Sequence, residues 1–163
     1  MLNAVSNTSP LLYLYCIGGI DWFPSIFREI YTPQAVIHEL HEGQRRSYDV
    51  PLLQSYPWLQ IVNPQYIPPK WFALDLGSGE LAAMALALEY PTCIVLLDDA
   101  LARRTAQAAG LTVWGTLKIL LTAKQESLIE SVEPYIDQLS HAGMWVSPSI
   151  RQRILALAKE DRS

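Results

Sequence analysis

The sequence predicts an α/β fold, a three-layer sandwich in which helices flank both faces of a central parallel sheet, and three observations carry that prediction. Short apolar runs of strand length alternate with helical patterns from Leu2 to Trp114; such alternation demands long, right-handed crossovers and hence parallel pairing. The run Cys93 to Leu97 is apolar throughout, as a strand covered on both faces must be. The chain has 163 residues, 50% of them hydrophobic, which suits a single domain over 1–163 whose core needs no staples.

Leu2 to Ser6 is short and apolar and ends at Asn-Thr-Ser-Pro, so it reads as a strand that leads into a Ser-capped helix over Leu11 to Ile17, with Pro10 in the first turn. Glu29 to Tyr31 is a short strand candidate, after which Thr32 is placed to cap a helix running from Pro33 through Val36, Ile37 and Leu40 to Gly43. The proline- and aromatic-rich stretch Tyr48 to Pro69 reads as a connection with one strand, Leu59 to Val62, and a short helix. A helix from Ser78 through Leu81, Met84, Ala85 and Leu88 precedes the Cys93–Leu97 strand. Ala100 to Ala109 is a helix closed by Gly110, and Leu111 to Trp114 is a further short strand. Helical patterns follow at Thr116 to Lys124 and, in a C-terminal set from about residue 130, at Ser131 to Leu139 and Pro148 to Lys159. No repeat, low-complexity tract or linker interrupts the chain.

The net charge is −4 and the pI about 5.3, so no whole-molecule positive field draws the protein to nucleic acid or to an anionic membrane; such contact has to be local. The two cysteines, Cys16 and Cys93, each lie in an apolar run, where a free thiol acts as a small hydrophobe, and a reducing cytoplasm is the expected compartment. Leu11 to Ile20 lacks the preceding basic residues of a signal peptide and is interrupted by Asp21. No run reaches the roughly 18 apolar residues of a membrane span.

Ligands of open α/β sheets bind beyond the carboxyl ends of the strands, where Asn7-Thr8-Ser9 and Asp98-Asp99 are placed. Two adjacent carboxylates after a buried strand repel each other and resist desolvation unless a cation compensates. A hard ion such as Mg²⁺, held by a few carboxylates and waters, meets that need. The ordinary alternative is that Asp98 caps the following helix while Asp99 favours its positive end. Glu80 opens a helix after Gly77-Ser78-Gly79, and its ordinary role is a first-turn carboxylate facing water. Glu39 lies on an otherwise apolar helix, with a solvated outer position as its ordinary reading.

Other motifs lead nowhere. His38-Glu39-Leu40-His41 has its histidines three apart, whereas the zinc-protease pattern needs four; His38 and His41 read as polar or substrate-facing neighbours of Glu39. Neither Gly77-Ser78-Gly79 nor Gly115-Thr116-Leu117-Lys118 has the ending of a phosphate loop, which disfavours nucleotide hydrolysis. The five tryptophans and eight tyrosines stand at mixed spacing and are assigned mostly to packing.

Taken jointly, the pattern resembles the PIN-domain superfamily of metal-dependent nucleases, which includes the VapC-like toxins, and in particular a small prokaryotic branch of it. The resemblance spans nearly the whole chain and rests on Val5-Ser6-Asn7-Thr8-Ser9-Pro10, Val36 to Leu40 around Glu39, and Gly77-Ser78-Gly79-Glu80. It rests further on Leu96-Leu97-Asp98-Asp99-Ala100-Leu101-Ala102-Arg103-Arg104 and on Gly110-Leu111-Thr112-Val113-Trp114-Gly115-Thr116.

The resemblance carries the family's acidic quartet onto Asn7, Glu39, Glu80 and the Asp98-Asp99 pair. Alignment slightly favours Asp99, with Asp98 nearby as a second acid. Asn7 departs from the pattern: its amide still offers an oxygen to a metal, but it removes a negative charge and cannot act as a base. Thr8 and Ser9 either bond a metal-bound water or cap the helix. In family terms one or two Mg²⁺ or Mn²⁺ ions activate water for in-line attack on phosphorus, and Arg103, Arg104, Lys118 and Lys124 are candidates to hold phosphates. The implied function is that of a nuclease acting on RNA in preference to DNA, as the toxic half of a toxin–antitoxin pair with a small antitoxin partner. The alternative is a catalytically degenerate module that binds nucleic acid or protein. The C-terminal helices, with Trp145 just after Gly143, point to a homodimer, which the superfamily often forms.

Overall fold

The computed structural model describes residues 1–161. Strands β1 (Leu2–Ser6), β2 (Phe27–Thr32), β3 (Leu59–Ile61), β4 (Cys93–Leu96) and β5 (Val113–Trp114) form one sheet in the order β3-β2-β1-β4-β5. Every pairing is parallel, as the alternating pattern requires. Around the sheet lie α1 (Thr8–Cys16), α2 (Phe23–Ile26), α3 (Gln34–Arg45), α4 (Ser78–Glu89), α5 (Ala100–Ala108), α6 (Thr116–Gln125), α7 (Glu133–His141) and α8 (Pro148–Leu157).

The period-two alternation of the central strands builds the layers. Ala4 of β1 and Ile94 and Leu96 of β4 face a core shared with Leu11, Phe23, Leu120 and Ile136. Their neighbours Val5, Val95 and Leu97 face the other side, against Met84, Leu86 and Ala106. A strand covered on both faces cannot alternate apolar with polar, which is why the Cys93–Leu97 run is apolar at every position. Helix α4 is buried almost all round, and its alanines let it lie close on the sheet beside β1 and β4.

From β1 the chain builds outward through β2 to β3, then returns to the other side of β1 for β4 and β5. The order therefore reverses between β1 and β4, whose register pairs Ser6 with Leu96. The residues leaving these two strands at their carboxyl ends, Asn7 and Asp98, open the crevice that such a reversal always leaves.

Several local details differ from the sequence expectation. Helix α1 begins at Thr8 with Asn7 at its cap position and no side-chain capping bond, so Ser9 is not the cap. Thr32 ends β2 rather than capping α3; its hydroxyl donates to the Ser6 carbonyl at 2.9 Å and ties β2 to β1. Helix α3 continues past Gly43 to Arg45, since Gly43 does not take the left-handed conformation with which a glycine ends a helix. The Tyr48–Pro69 stretch holds a 3₁₀ turn at Leu53–Ser55, with another at Pro69–Ala73. Cys93 is buried, but Cys16 is exposed, since it lies about 200° around α1 from the buried Leu14.

Candidate functional site

A cleft of about 550 Å³ opens at the β1/β4 reversal. Its lining combines polar residues, Asn7, Glu39, Glu80, Asp98 and Asp99 with Thr8 and Ser9, and a less polar set, Leu12, Tyr13, Ala142, Met144 and Trp145. Three elements supply the acids: α3 carries Glu39, α4 carries Glu80, and the β4–α5 turn carries both aspartates.

Each carboxylate is anchored differently. Glu39 accepts from the Thr8 hydroxyl at 2.8 Å and from the Gly79 N–H at 2.5 Å, so a residue on the flank of an apolar helix turns into the cleft instead of into water. Gly79 is the condition for this approach. A Cβ there would stand 2.3 Å from Glu39 Oε1 and 3.0 Å from Asn7 Oδ1, so any side chain would push Glu39 out of this position. Glu80, in the first turn of the same helix, accepts from the Gly77 N–H at 2.8 Å and closes that helix end. Burial pushes its carboxyl above the ordinary glutamate value; the nearby Asp99 and Glu39 push the same way, against the Gly77 hydrogen bond.

Asp98 uses both oxygens. The Thr116 N–H donates to Oδ1 at 2.8 Å, and the hydroxyls of Thr116 and Ser9 donate to Oδ2 at 2.7 and 3.0 Å. Asp98 thereby joins the starts of α1 and α6 to the end of β4. Asp99 is the helix cap, its Oδ2 accepting from Ala102 N–H at 2.9 Å. The capping role foreseen for Asp98 therefore falls one residue later. Gly115 makes room for this packing, since a Cβ there would stand 2.7 Å from Arg103 Nη1 and 3.1 Å from Asp98 Oδ1.

The buried Asn7 carries an orphan. Only 4% of the residue is exposed, yet Oδ1 has no hydrogen-bond partner. Leaving a buried acceptor unsatisfied costs about 1–3 kcal/mol, so the position calls for a donor or a cation in the cleft.

A family model for the PIN domain matches residues 3–160. The chain belongs to the PIN-domain family. A comparison with curated proteins returned no match. PIN domains are nuclease-type folds that generally use divalent metals and bind nucleic acid.

In this PIN domain the four elements expected to supply the quartet do meet in one cleft. Among the described residues, however, no three His, Cys, Asp or Glu side chains close into a ready-made ligand cage. The donor set still suits a hard divalent ion: every candidate atom is oxygen, Asn7 Oδ1 is buried and unpartnered, and Mg²⁺ takes only one or two carboxylates while keeping waters. Thr8 and Ser9 act through the acids, as donors to Glu39 and Asp98.

The basic residues are not brought to the cleft. Arg103 donates to the Leu97 carbonyl at 2.9 Å and buttresses the β4–α5 turn. Arg104 lies with Lys70 and Trp71 along a separate groove, Lys118 sits 5.2 Å from the Trp114 ring, and Lys124 pairs with Glu160 at 2.8 Å. Their nearness to Asp98 in sequence misleads because successive helical residues turn by about 100° and climb away from the sheet edge. His38 and His41 are exposed and outside the cleft lining. Sequence reasoning missed the apolar wall, which comes from α1 and from the α7–α8 loop far along the chain; Gly143-Met144-Trp145 was its only trace.

Proposed function

We propose that this PIN domain is a metal-dependent nuclease, an endoribonuclease that hydrolyses phosphodiester bonds. The observation that carries the reading is the buried, unpartnered Asn7 Oδ1 facing an acidic cleft at the strand-order reversal. Mg²⁺ or Mn²⁺ bound there would supply activation of water and charge neutralisation on the departing oxygen. Asn7, Glu80 and Asp99 are the residues to hold it; Glu80 and Asp99 each commit only one oxygen to an N–H of their own helix end. Glu39 and Asp98 hold the frame, with Glu39 completing the charge on one side. Charge balance supports a cation, because Glu80 ionises reluctantly beside Asp99 and Glu39 until positive charge arrives.

On this reading the protein works in the cytoplasm as the toxic half of a toxin–antitoxin pair, as a homodimer held in check by a small antitoxin. No helix among the described residues is long and apolar enough to cross a membrane. A second reading, a catalytically degenerate module that binds nucleic acid or protein, is favoured by one feature: an amide at Asn7, where the family pattern has a carboxylate.

Incubation of the purified protein with single-stranded and structured RNA, with Mn²⁺, Mg²⁺ or EDTA, separates them. Cleavage that needs the ion and falls at least about 100-fold in Glu39→Gln is the expected result. Ion-dependent RNA binding without cleavage selects the degenerate module. Cleavage that persists in EDTA refutes the metal site.

A further inference from the structure

The cleft is lined by apolar as well as acidic residues, and only the acidic ones are used by the reading above. The apolar lining includes Trp145, which is 82% exposed although it lies between two partly buried residues, Met144 and Val146, that pack on the main core. Little of the indole is then committed to packing, which leaves its face free to meet a ligand. The display is also rigid. Gly143, at φ +107°, ends α7 in a conformation that favours glycine, and the Met144 N–H bonds back to the Leu139 carbonyl at 3.0 Å. Ser147 caps α8 by accepting from the Ile150 N–H. A short loop fastened at both ends thus holds an indole face at the rim of the cleft.

No lysine or arginine lines this cleft, and the chain carries a net charge of −4. Phosphate attraction, the usual source of nucleic-acid affinity, is therefore lacking beside the acids. A bound ion would hold only the phosphate at the acids, so something else has to hold the strand beside it. An aromatic face supplies sequence-tolerant affinity by stacking on a base, and it can do so only if the base is unpaired, since a paired base hides both faces in the duplex stack.

Resting on the nuclease reading, we propose that Trp145 is a stacking platform for an unpaired nucleobase next to the phosphate at the acids. Met144 and Leu12 extend the same wall and give the base an apolar edge.

The test is equilibrium binding, by fluorescence anisotropy, of a labelled single-stranded oligoribonucleotide, a hairpin of equal length and an abasic oligomer. Each is titrated with wild type, Trp145→Ala and Trp145→Phe in Ca²⁺, with cleavage in Mn²⁺ measured in parallel. For the single strand we expect Trp145→Ala to weaken binding by roughly 5- to 100-fold and Trp145→Phe to recover most of it. The abasic oligomer should bind wild type and Trp145→Ala alike, and the hairpin should bind wild type no better than the abasic oligomer. Equal single-strand affinity in wild type and Trp145→Ala overturns the proposal, and if metal-dependent cleavage is intact the nuclease reading survives it. A dimer-to-monomer change in Trp145→Ala by sedimentation, with single-strand affinity unchanged, reassigns the residue to an interface between copies and likewise overturns it. Weak binding of every oligomer by wild type, with no ion-dependent cleavage, refutes the nuclease reading itself.

Discussion

Replacing Asn7 with aspartate changes almost no volume and adds one charge at the most sensitive point of the cleft. Asn7 Oδ1 and Glu39 Oε1 both crowd the point where a Gly79 Cβ would stand, at 3.0 and 2.3 Å from it. Two like charges about 5 Å apart at an effective dielectric of about 20 repel by roughly 3 kcal/mol. The new carboxyl can escape by keeping its proton, but holding a group of ordinary pKa near 3.9 protonated at pH 7 costs about 4 kcal/mol, which sets the ceiling. Without metal, then, Asn7→Asp should lose about 3–4 kcal/mol at pH 7, or roughly 6–15 °C in Tm for a domain of this size. The new group has a folded-state pKa raised above its unfolded value. The penalty is therefore absent below about pH 3.9, grows as pH rises, and levels off above the folded pKa. A divalent ion reverses the sign, because the added carboxylate becomes a ligand: each tenfold gain in ion affinity returns about 1.4 kcal/mol at saturating ion. Thermal unfolding followed by circular dichroism in EDTA and in Mn²⁺, at pH 5 and pH 7, together with cleavage rates, tests the chain of reasoning. We expect the variant to melt lower in EDTA, to gain more from Mn²⁺ than wild type does, and to cleave faster. Equal melting in EDTA, or an equal Mn²⁺ gain in both proteins, refutes the placement of Asn7 beside the acids and the ion.

Gly79→Ala should expel Glu39 from its backbone bond, because the new methyl overlaps Oε1, and should lower metal-dependent cleavage by roughly 10- to 100-fold while the far-UV spectrum stays native; cleavage at the wild-type rate would show that Glu39 does not depend on that approach. Glu160 ties the chain end to α6 and α7 by accepting from Lys124 Nζ and the Val132 N–H, each at 2.8 Å. Burial pushes its carboxyl up, but these bonds outweigh burial and hold it below the ordinary glutamate value. Glu160→Gln should therefore cost about 1–3 kcal/mol at pH 7, and the gap to wild type should close as pH falls through the depressed folded pKa; urea unfolding at pH 7 and pH 3 measures it, and a gap that is constant with pH would rule out a charged Glu160 as its source.

The layers of the fold were legible because they depend on period alone. Cys93 to Leu97 has no polar position, and a chain that places helices between such strands has few ways to fold. The sequence picks out the acids that line the cleft but not the geometry that brings them there. Periodicity assigns Glu39 to an outer position on α3, and nothing within that helix reveals that Gly79, forty residues on, leaves a gap into which it turns. Thr32 looked like a cap because threonine before proline so often is one, yet its hydroxyl finds the Ser6 carbonyl of the neighbouring strand, a tertiary bond that outcompetes the local one. Arg103 shows the same limit. A cation next to the aspartates in sequence suggests a phosphate clamp, while in space its guanidinium reaches the Leu97 carbonyl and holds the turn that presents them.

The adjacent aspartates resolve into two roles once their hydrogen bonds are counted. A carboxylate has about four acceptor sites, and Asp98 fills three of them with Thr116 N–H, Thr116 Oγ1 and Ser9 Oγ, all fixed donors on helix starts. Turning Asp98 toward an ion would break those bonds and loosen α1 and α6 together. Asp99 gives up one site, to Ala102 N–H, and remains close enough to Glu80 to raise its pKa. The freer acid is thus the one whose charge bears on Glu80, and a cation shared by Glu80 and Asp99 would relieve the repulsion between them. Asp98 then fixes the distance between the strand ends that both ligands depend on. The sequence slightly favours Asp99 of the pair, and on the proposed metal site the two divide into one ligand and one hinge pin, with Asn7 offering an oxygen without a charge.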